Sequence, residues 1–208
     1  MLEVFADQLT SVGGPVLVAL LALSIAATTA AFFKIFQFVR MGVGRHGEAR
    51  VLLQRWIDGD ERVVFESASS SNATTNVLHS ALSILQDGRG DSAYARRIGV
   101  QTASEKLARM GSNIRVLEAV VQAAPMLGLL GTIIGMIDAF AKLSEASGAI
   151  DPALLAGGIW IALTTTAVGL TIAVPFYFLT VWLDGRIDSE RLEMESLLFH
   201  ATERPAET

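Results

Sequence analysis

The chain has 208 residues, 51% of them hydrophobic, no cysteine and a formal net charge of −5. Its mean hydropathy of +0.47 is high for a water-soluble domain, and the apolar residues come in blocks rather than in periodic faces. The lack of cysteine excludes a disulfide framework and a thiolate metal site; the modest acidic balance gives no reason to expect nucleic-acid binding.

Residues 1–13 are short and mixed, and a surface helix is predicted over 2–12, ended by Gly13-Gly14-Pro15. No Lys or Arg precedes Lys34, so the basic region of a cleaved signal peptide is missing and the first apolar stretch is expected to be retained. That stretch, 8–33, carries no charge; neither do 119–137 and 152–183. Each is long enough to cross the roughly 30 Å hydrocarbon core of a bilayer as a helix. The predicted division is an N-terminal segment 1–13, a first membrane helix 14–39, a cytoplasmic helical section 40–114, a second membrane helix 115–141, a loop 142–152, a third membrane helix 153–183, and a C-terminal helix and tail 184–208. The fold class is therefore an all-α integral membrane protein with three spans, the second and third extended into a helical cytoplasmic domain.

Orientation follows from the basic residues. Of 16 Lys and Arg, twelve lie between Lys34 and Arg115 and three (Arg186, Arg191, Arg204) follow the third stretch; Lys142 alone falls in the connection between the second and third. The positive-inside rule places the N-terminus outside and the C-terminus in the cytoplasm. Residues 16–33 have few hydrogen-bonding groups and are expected to face lipid, Leu20 and Leu23 among them. In the cytoplasmic section Val51, Leu52, Leu53, Trp56 and Ile57 fit one amphipathic helix, and Val77, Leu78, Leu82 and Leu85 another. The stretches 67–75 and 87–92 break helices, and one very long helix is predicted from Ser92 to Lys142.

Small residues share one face in each of the last two spans. At a helical rotation of roughly 100° per residue, Ala124, Gly128, Thr132, Gly135 and Ala139 point in a common direction, with Gly131 close by. Gly158, Ala162, Thr165, Thr166, Gly169 and Ala173 do the same in the third span. Such faces let membrane helices approach closely. They also suit a wet or partner-filled passage lined by the hydroxyls of Thr132, Thr165 and Thr166, and the two readings can coexist.

No Asp, Glu, Lys, Arg or His lies within the three charge-free stretches. Proton transfer at membrane depth calls for an ionisable group, so if the chain conducts ions a second polypeptide must supply it. Glu118 and Asp138 sit at the ends of the second span, where solvation at the interface accounts for them; gathering cations is the alternative role for Asp138, on the outer side. His46, His79 and His200 are scattered without metal-ligand spacing. No phosphate loop, nucleophile elbow or paired acid–base motif is present, so neither an enzyme nor a cofactor is expected.

The segments A124-P-M-L-G-L-L-G-T132-I-I-G135 and G157-G-I-W-x-A-L-x-T-T-A-x-G-L170 resemble the ExbB/TolQ/MotA proton-channel family. Three spans make the chain similar to ExbB and TolQ rather than to the four-span MotA. The resemblance implies a bacterial inner-membrane motor subunit. Five copies would form a ring around the membrane helices of an ExbD/TolR-like partner, whose helix carries the missing aspartate. Ion flow through that aspartate would power work at the cell envelope, such as transport across the outer membrane. The implied transported ion is H+. Ile161, where ExbB and TolQ usually have Glu, and the Thr165-Thr166 pair depart from the proton-linked pattern and leave Na+ as the alternative. A non-conducting membrane scaffold is the other alternative.

Overall fold

The computed structural model describes residues 14–70, 72–88, 91–145 and 152–203. Those residues form seven helices and no strand: α1 (Gly14–Met41), α2 (Gly47–Ile57), α3 (Val63–Ala68), α4 (Ala73–Gln86), α5 (Ser92–Gly111), α6 (Ile114–Glu145) and α7 (Pro152–Thr202). Three helical runs, Gly14–Met41, Ser92–Ser144 and Leu155–Thr202, are long and apolar enough to cross a membrane. The protein is an all-helical, multi-pass membrane protein. The predicted surface helix over 2–12 and most of the predicted loop 142–152 lie outside the described residues.

The helices sort into two compact units. The first holds the described part of Met1–Phe32 with Asn113–Thr180, and the second holds Phe33–Ser112 with the described part of Val181–Thr208. In the first unit α6 and α7 run unbroken through Pro125 and Pro175. Membrane helices tolerate such prolines where neighbouring groups satisfy the freed carbonyls. The α1 stretch buries one edge (Val16, Leu17, Leu20, Ala27 and Ala31) and exposes Val18, Ile25 and Phe32. Leu20 is fully buried, which corrects the expectation that it faces lipid. The apolar content of 16–33 is uniform around the helix, so nothing in its pattern marks the edge that packs.

The second unit has a small core of its own. Leu52, Leu53 and Trp56 from α2, Val63 and Val64 from α3, Leu78 and Leu82 from α4, and Leu197 and Ala201 from α7 form one buried cluster. Val51 and Ile57, placed by the sequence on the apolar face of α2, are exposed. Local caps set the helix starts. The Asn72 side chain accepts from Thr74 N–H at 2.9 Å to begin α4, and Asp91 accepts from Tyr94 N–H at 2.7 Å to begin α5.

The α7 tail is held by a buried carboxylate. Glu190 is 1% exposed. Its Oε1 accepts from Gly44 N–H and lies 2.7 Å from His46 Nε2, and its Oε2 accepts from Thr74 Oγ1 at 2.7 Å. One turn on, Arg50 grips Glu193 with two bonds, at 2.6 and 2.7 Å. Gly44 is favoured here by its backbone conformation, while the Arg186 tip beside it can move aside. Its φ is +84°, and a Cβ would meet the Arg186 guanidinium at 2.8 Å.

The single long helix predicted from Ser92 to Lys142 is two helices. Ser112 takes an extended ψ of 145° and Asn113 a left-handed φ of 64°, which asparagine tolerates better than most residues. The break falls at Gly111-Ser112-Asn113, a short run of turn-forming residues that was the available local signal.

Two predictions follow from the second unit. Glu190→Ala leaves a buried amide, a hydroxyl and an imidazole without their acceptor, and is expected to cost about 2–4 kcal/mol, read as a lower thermal midpoint in detergent; an unchanged midpoint would show the clasp to be idle. Arg55 bonds Asp60 at 2.5 Å and Glu66 at 2.5 Å and holds both carboxyls below the usual carboxylate range. A depressed carboxyl stabilises the fold above its unfolded value, and the contribution is lost as pH falls through the folded one. Arg55→Gln is therefore expected to lower the midpoint slightly at neutral pH, all three groups being partly exposed. The gap from the parent begins to narrow as pH falls below about 4 and closes once both carboxyls are protonated in the folded protein, below their depressed values.

Candidate functional site

Helices α6 and α7 meet backbone to backbone. A Cβ on Gly128 would lie 2.9 Å from Thr166 Cα, one on Gly131 2.5 Å from Thr165 Oγ1, and one on Gly169 2.5 Å from the Ala124 carbonyl oxygen. A Cβ on Gly135 would lie 3.1 Å from Ala162 Cβ, and one on Gly158 would overlap Ala139. Contacts climb α6 as they descend α7, so the pair is antiparallel. Any larger residue along this seam would force the backbones apart.

The seam has an internal symmetry. Ala124, Gly128, Gly131, Thr132, Gly135 and Ala139 recur with the same spacing as Gly158, Ala162, Thr165, Thr166, Gly169 and Ala173. Two antiparallel helices with matching faces are related by a local two-fold axis normal to their common plane. Thr132 and Thr166 occupy equivalent places, each turned roughly 60° from the seam direction. That two-fold keeps both on the same flank of the pair.

The three threonines thus occupy different settings. Thr165 lies in the seam itself, is fully buried, and donates to Ala162 O at 2.7 Å, with Gly128 O 3.2 Å away across the helix contact. Thr132 is half-buried and donates to Leu129 O at 2.6 Å. It borders a surface groove with Ile133, Met136 and Ile137. Thr166 is half-buried, and its Oγ1 is covered yet has no hydrogen-bond partner among the described residues. An unpaired buried hydroxyl is costly, which sets Thr166 apart from the other two threonines. Asp138 pairs with Lys142 at 2.8 Å, one turn along α6. Trp160 and Trp182 are exposed toward the two ends of the third apolar stretch, as interfacial aromatics are.

Two polar residues of consequence were not singled out in the sequence. Glu190 sits in a charged run that reads as a solvated tail, yet it shares the buried stripe of Leu183, Ile187, Met194, Leu197 and Ala201. Lys34 shares the buried stripe of Leu20, Ala27, Ala31 and Phe38. In both, a charge at a heptad-like apolar position was the available signal.

These features define a class: a multi-pass helical protein with two spans zipped through small residues and a polar flank beside the zip. The chain belongs to the MotA/TolQ/ExbB proton channel family, whose sequence profile matches residues 69–196. It is 34% identical over 108 residues to the biopolymer transport protein exbB1 of Vibrio cholerae, covering 47% of each chain. A biopolymer transport protein ExbB homolog from Methanothermobacter thermautotrophicus is 33% identical over 130 residues, 60% of this chain and 43% of its own. The biopolymer transport protein ExbB-like 1 of Synechocystis is 32% identical over 167 residues, 78% of this chain and 64% of its own. The matches thus span about two fifths to two thirds of these relatives' lengths.

The seam makes a direct prediction. Gly131→Leu drives a side chain into Thr165 and is expected to destabilise the α6–α7 pair by about 3 kcal/mol or more, read as loss of the folded protein from detergent extracts. Gly157→Leu is the control, since a Cβ there meets nothing within 4 Å. Equal damage from both would mean that the seam is not what the small residues serve.

Proposed function

We propose that this chain is the ring-forming subunit of an ion-driven motor in the bacterial inner membrane, with its N-terminus in the periplasm and its C-terminus in the cytoplasm. Five copies enclose an ExbD/TolR-like single-span partner, with α6 and α7 forming the inner wall and α1 outside. The partner supplies the membrane aspartate, and the motion that ion flow drives in it powers work at the cell envelope, such as transport across the outer membrane. The observation that carries this reading is the flank with Thr132 and the unpartnered Thr166 hydroxyl, set in the stretches 119–137 and 152–183, which hold no Asp, Glu, Lys, Arg or His. A hydroxyl flank relays or coordinates an ion but does not by itself bind a proton, so an acidic partner completes the path. The names of the relatives, biopolymer transport proteins, favour the envelope task.

In this reading Thr132 and Thr166 line the path. Thr165, within the seam, contributes to ion choice by setting how closely α6 and α7 approach. Asp138 gathers cations at the outer mouth. The transported ion is H+. Na+ is the second reading, favoured by the Thr165-Thr166 pair and by Ile161. A non-conducting scaffold uses the same seam without the path.

Thr166→Val removes the hydroxyl at near-constant volume. It is expected to abolish ion uptake into proteoliposomes holding the chain and its partner while leaving the ring intact by native mass spectrometry; Thr132→Val does the same less severely. Flux that ignores external sodium and collapses with a protonophore excludes the Na+ reading. Unchanged flux in Thr166→Val would reduce the hydroxyls to packing and favour the scaffold.

A further inference from the structure

A threonine in a helix ordinarily turns its hydroxyl proton back onto its own backbone, to the carbonyl three or four residues earlier. The described threonines of the charge-free stretches follow this rule with one exception. Thr28, Thr29, Thr164 and Thr171 donate to the carbonyl four back, at 2.7–2.8 Å. Thr132 and Thr180 donate to the one three back, at 2.6 and 2.7 Å. Thr166 makes neither bond.

The exception has a local cause. Thr164, Thr165 and Thr166 follow one another on α7, and the carbonyl four back from Thr166 is that of Ala162. A carbonyl oxygen has two acceptor positions. The helix uses one for the Thr166 N–H, and Thr165 Oγ1 fills the other at 2.7 Å. Had Thr165 bonded four back, to Ile161, the Ala162 carbonyl would be open to Thr166. Across the seam, however, Gly128 O lies 3.2 Å from the same Thr165 Oγ1 and shares its proton, which favours the three-back geometry. Gly131 makes the room for it, since a Cβ there would meet Thr165 Oγ1 at 2.5 Å. The seam thus selects the Thr165 rotamer, and that rotamer closes Ala162 O to Thr166. All of these groups lie within the first compact unit. The two hydroxyls of the flank differ in chemistry as a result. Thr132 has committed its proton to Leu129 O and keeps acceptor capacity, whereas Thr166 keeps a donor.

We propose that Thr165 is a positioning residue: by occupying the Ala162 carbonyl it holds the Thr166 hydroxyl off its own helix and keeps that proton available for hydrogen bonding on the ion path. An ionised carboxylate on the path takes such a donor in a charge-assisted bond. The effect of Thr165 on ion flow rests on the reading of Thr166 as part of the path; its effect on the Thr166 hydroxyl does not.

Valine and serine separate this role from packing. Thr165→Val keeps the shape of the side chain and loses the hydroxyl, which opens Ala162 O to Thr166; Thr165→Ser keeps the hydroxyl and loses the methyl group. In proteoliposomes holding the chain and its partner, Thr165→Val is expected to lower ion uptake at least tenfold, and Thr165→Ser to recover most of it. A role in packing alone gives the opposite order. The hydroxyl itself is read by solid-state NMR of the full chain in lipid bilayers with isotope-labelled threonine, the Thr166 signals being assigned by their loss in Thr166→Val. Thr165→Val is expected to move the Thr166 Cβ signal toward those of the back-bonded threonines and to slow exchange of its hydroxyl with water at least tenfold, while Thr165→Ser keeps the parent's signals. If Thr165→Val is not recovered from membranes, Thr165→Ala, which opens the same carbonyl, takes its place with the same expectations. A Thr166 signal in the valine variant that matches the parent's overturns the positioning. An altered signal with full uptake, or serine less active than valine, overturns its role in ion flow. If Thr166→Val conducts as the parent does, the ion-path reading fails, and the positioning is decided on the NMR signals alone.

Discussion

The contact between α6 and α7 is governed by how little stands between the two backbones. In lipid, apolar side chains gain nothing by leaving the bilayer for a helix surface, so association rests on close packing and on hydrogen bonds across the interface. Glycine and alanine at the seam admit that approach, and Thr165 adds a hydrogen bond inside it. Because the two faces match in spacing and run antiparallel, whatever stands beside the seam on one helix stands on the same flank as its counterpart on the other. The pairing of Thr132 with Thr166 on one flank is thus a consequence of the seam.

The polar groups are graded by depth. The stretches 119–137 and 152–183 hold hydroxyls but no charge, which lowers the cost of inserting them into a bilayer. The strong buried charges appear only in the second unit: Lys34 on the carbonyl end of α5, and Glu190 between Gly44, His46 and Thr74. Both charges face backbone or neutral partners over most of their contacts. That arrangement tolerates little movement, since a displaced carboxylate or ammonium would stay buried without its donors or acceptors. The second unit is accordingly tied together by polar clasps around a small apolar core, whereas the membrane helices are held by the fit of small residues.

The spans, their order and the small-residue faces could be read directly in the sequence. A bilayer imposes a length and a lack of charge, and helical periodicity places residues four apart on one face whatever they touch. The breaks over 67–75 and 87–92 were legible for a similar reason, since the caps at Asn72 and Asp91 are made within a few residues of the helix they start. Other features depended on tertiary structure, because they need to know what lies opposite. The split of the threonines, Thr165 into the seam and Thr166 beside it, depends on where the neighbouring glycine stands. The packed edge of α1, with Leu20 on it, is invisible in a helix that is apolar all round. Lys34 and Glu190 look like an interfacial anchor and a solvated tail until α5 and the loop at Gly44 close over them. Lys34 of α1 bonds the Ser112 carbonyl at the end of α5, a contact made across 78 residues of sequence. Local pattern decides which residues form helices and which faces are apolar; only the folded chain decides which polar groups those faces enclose, because burial is a property of the partner as much as of the residue.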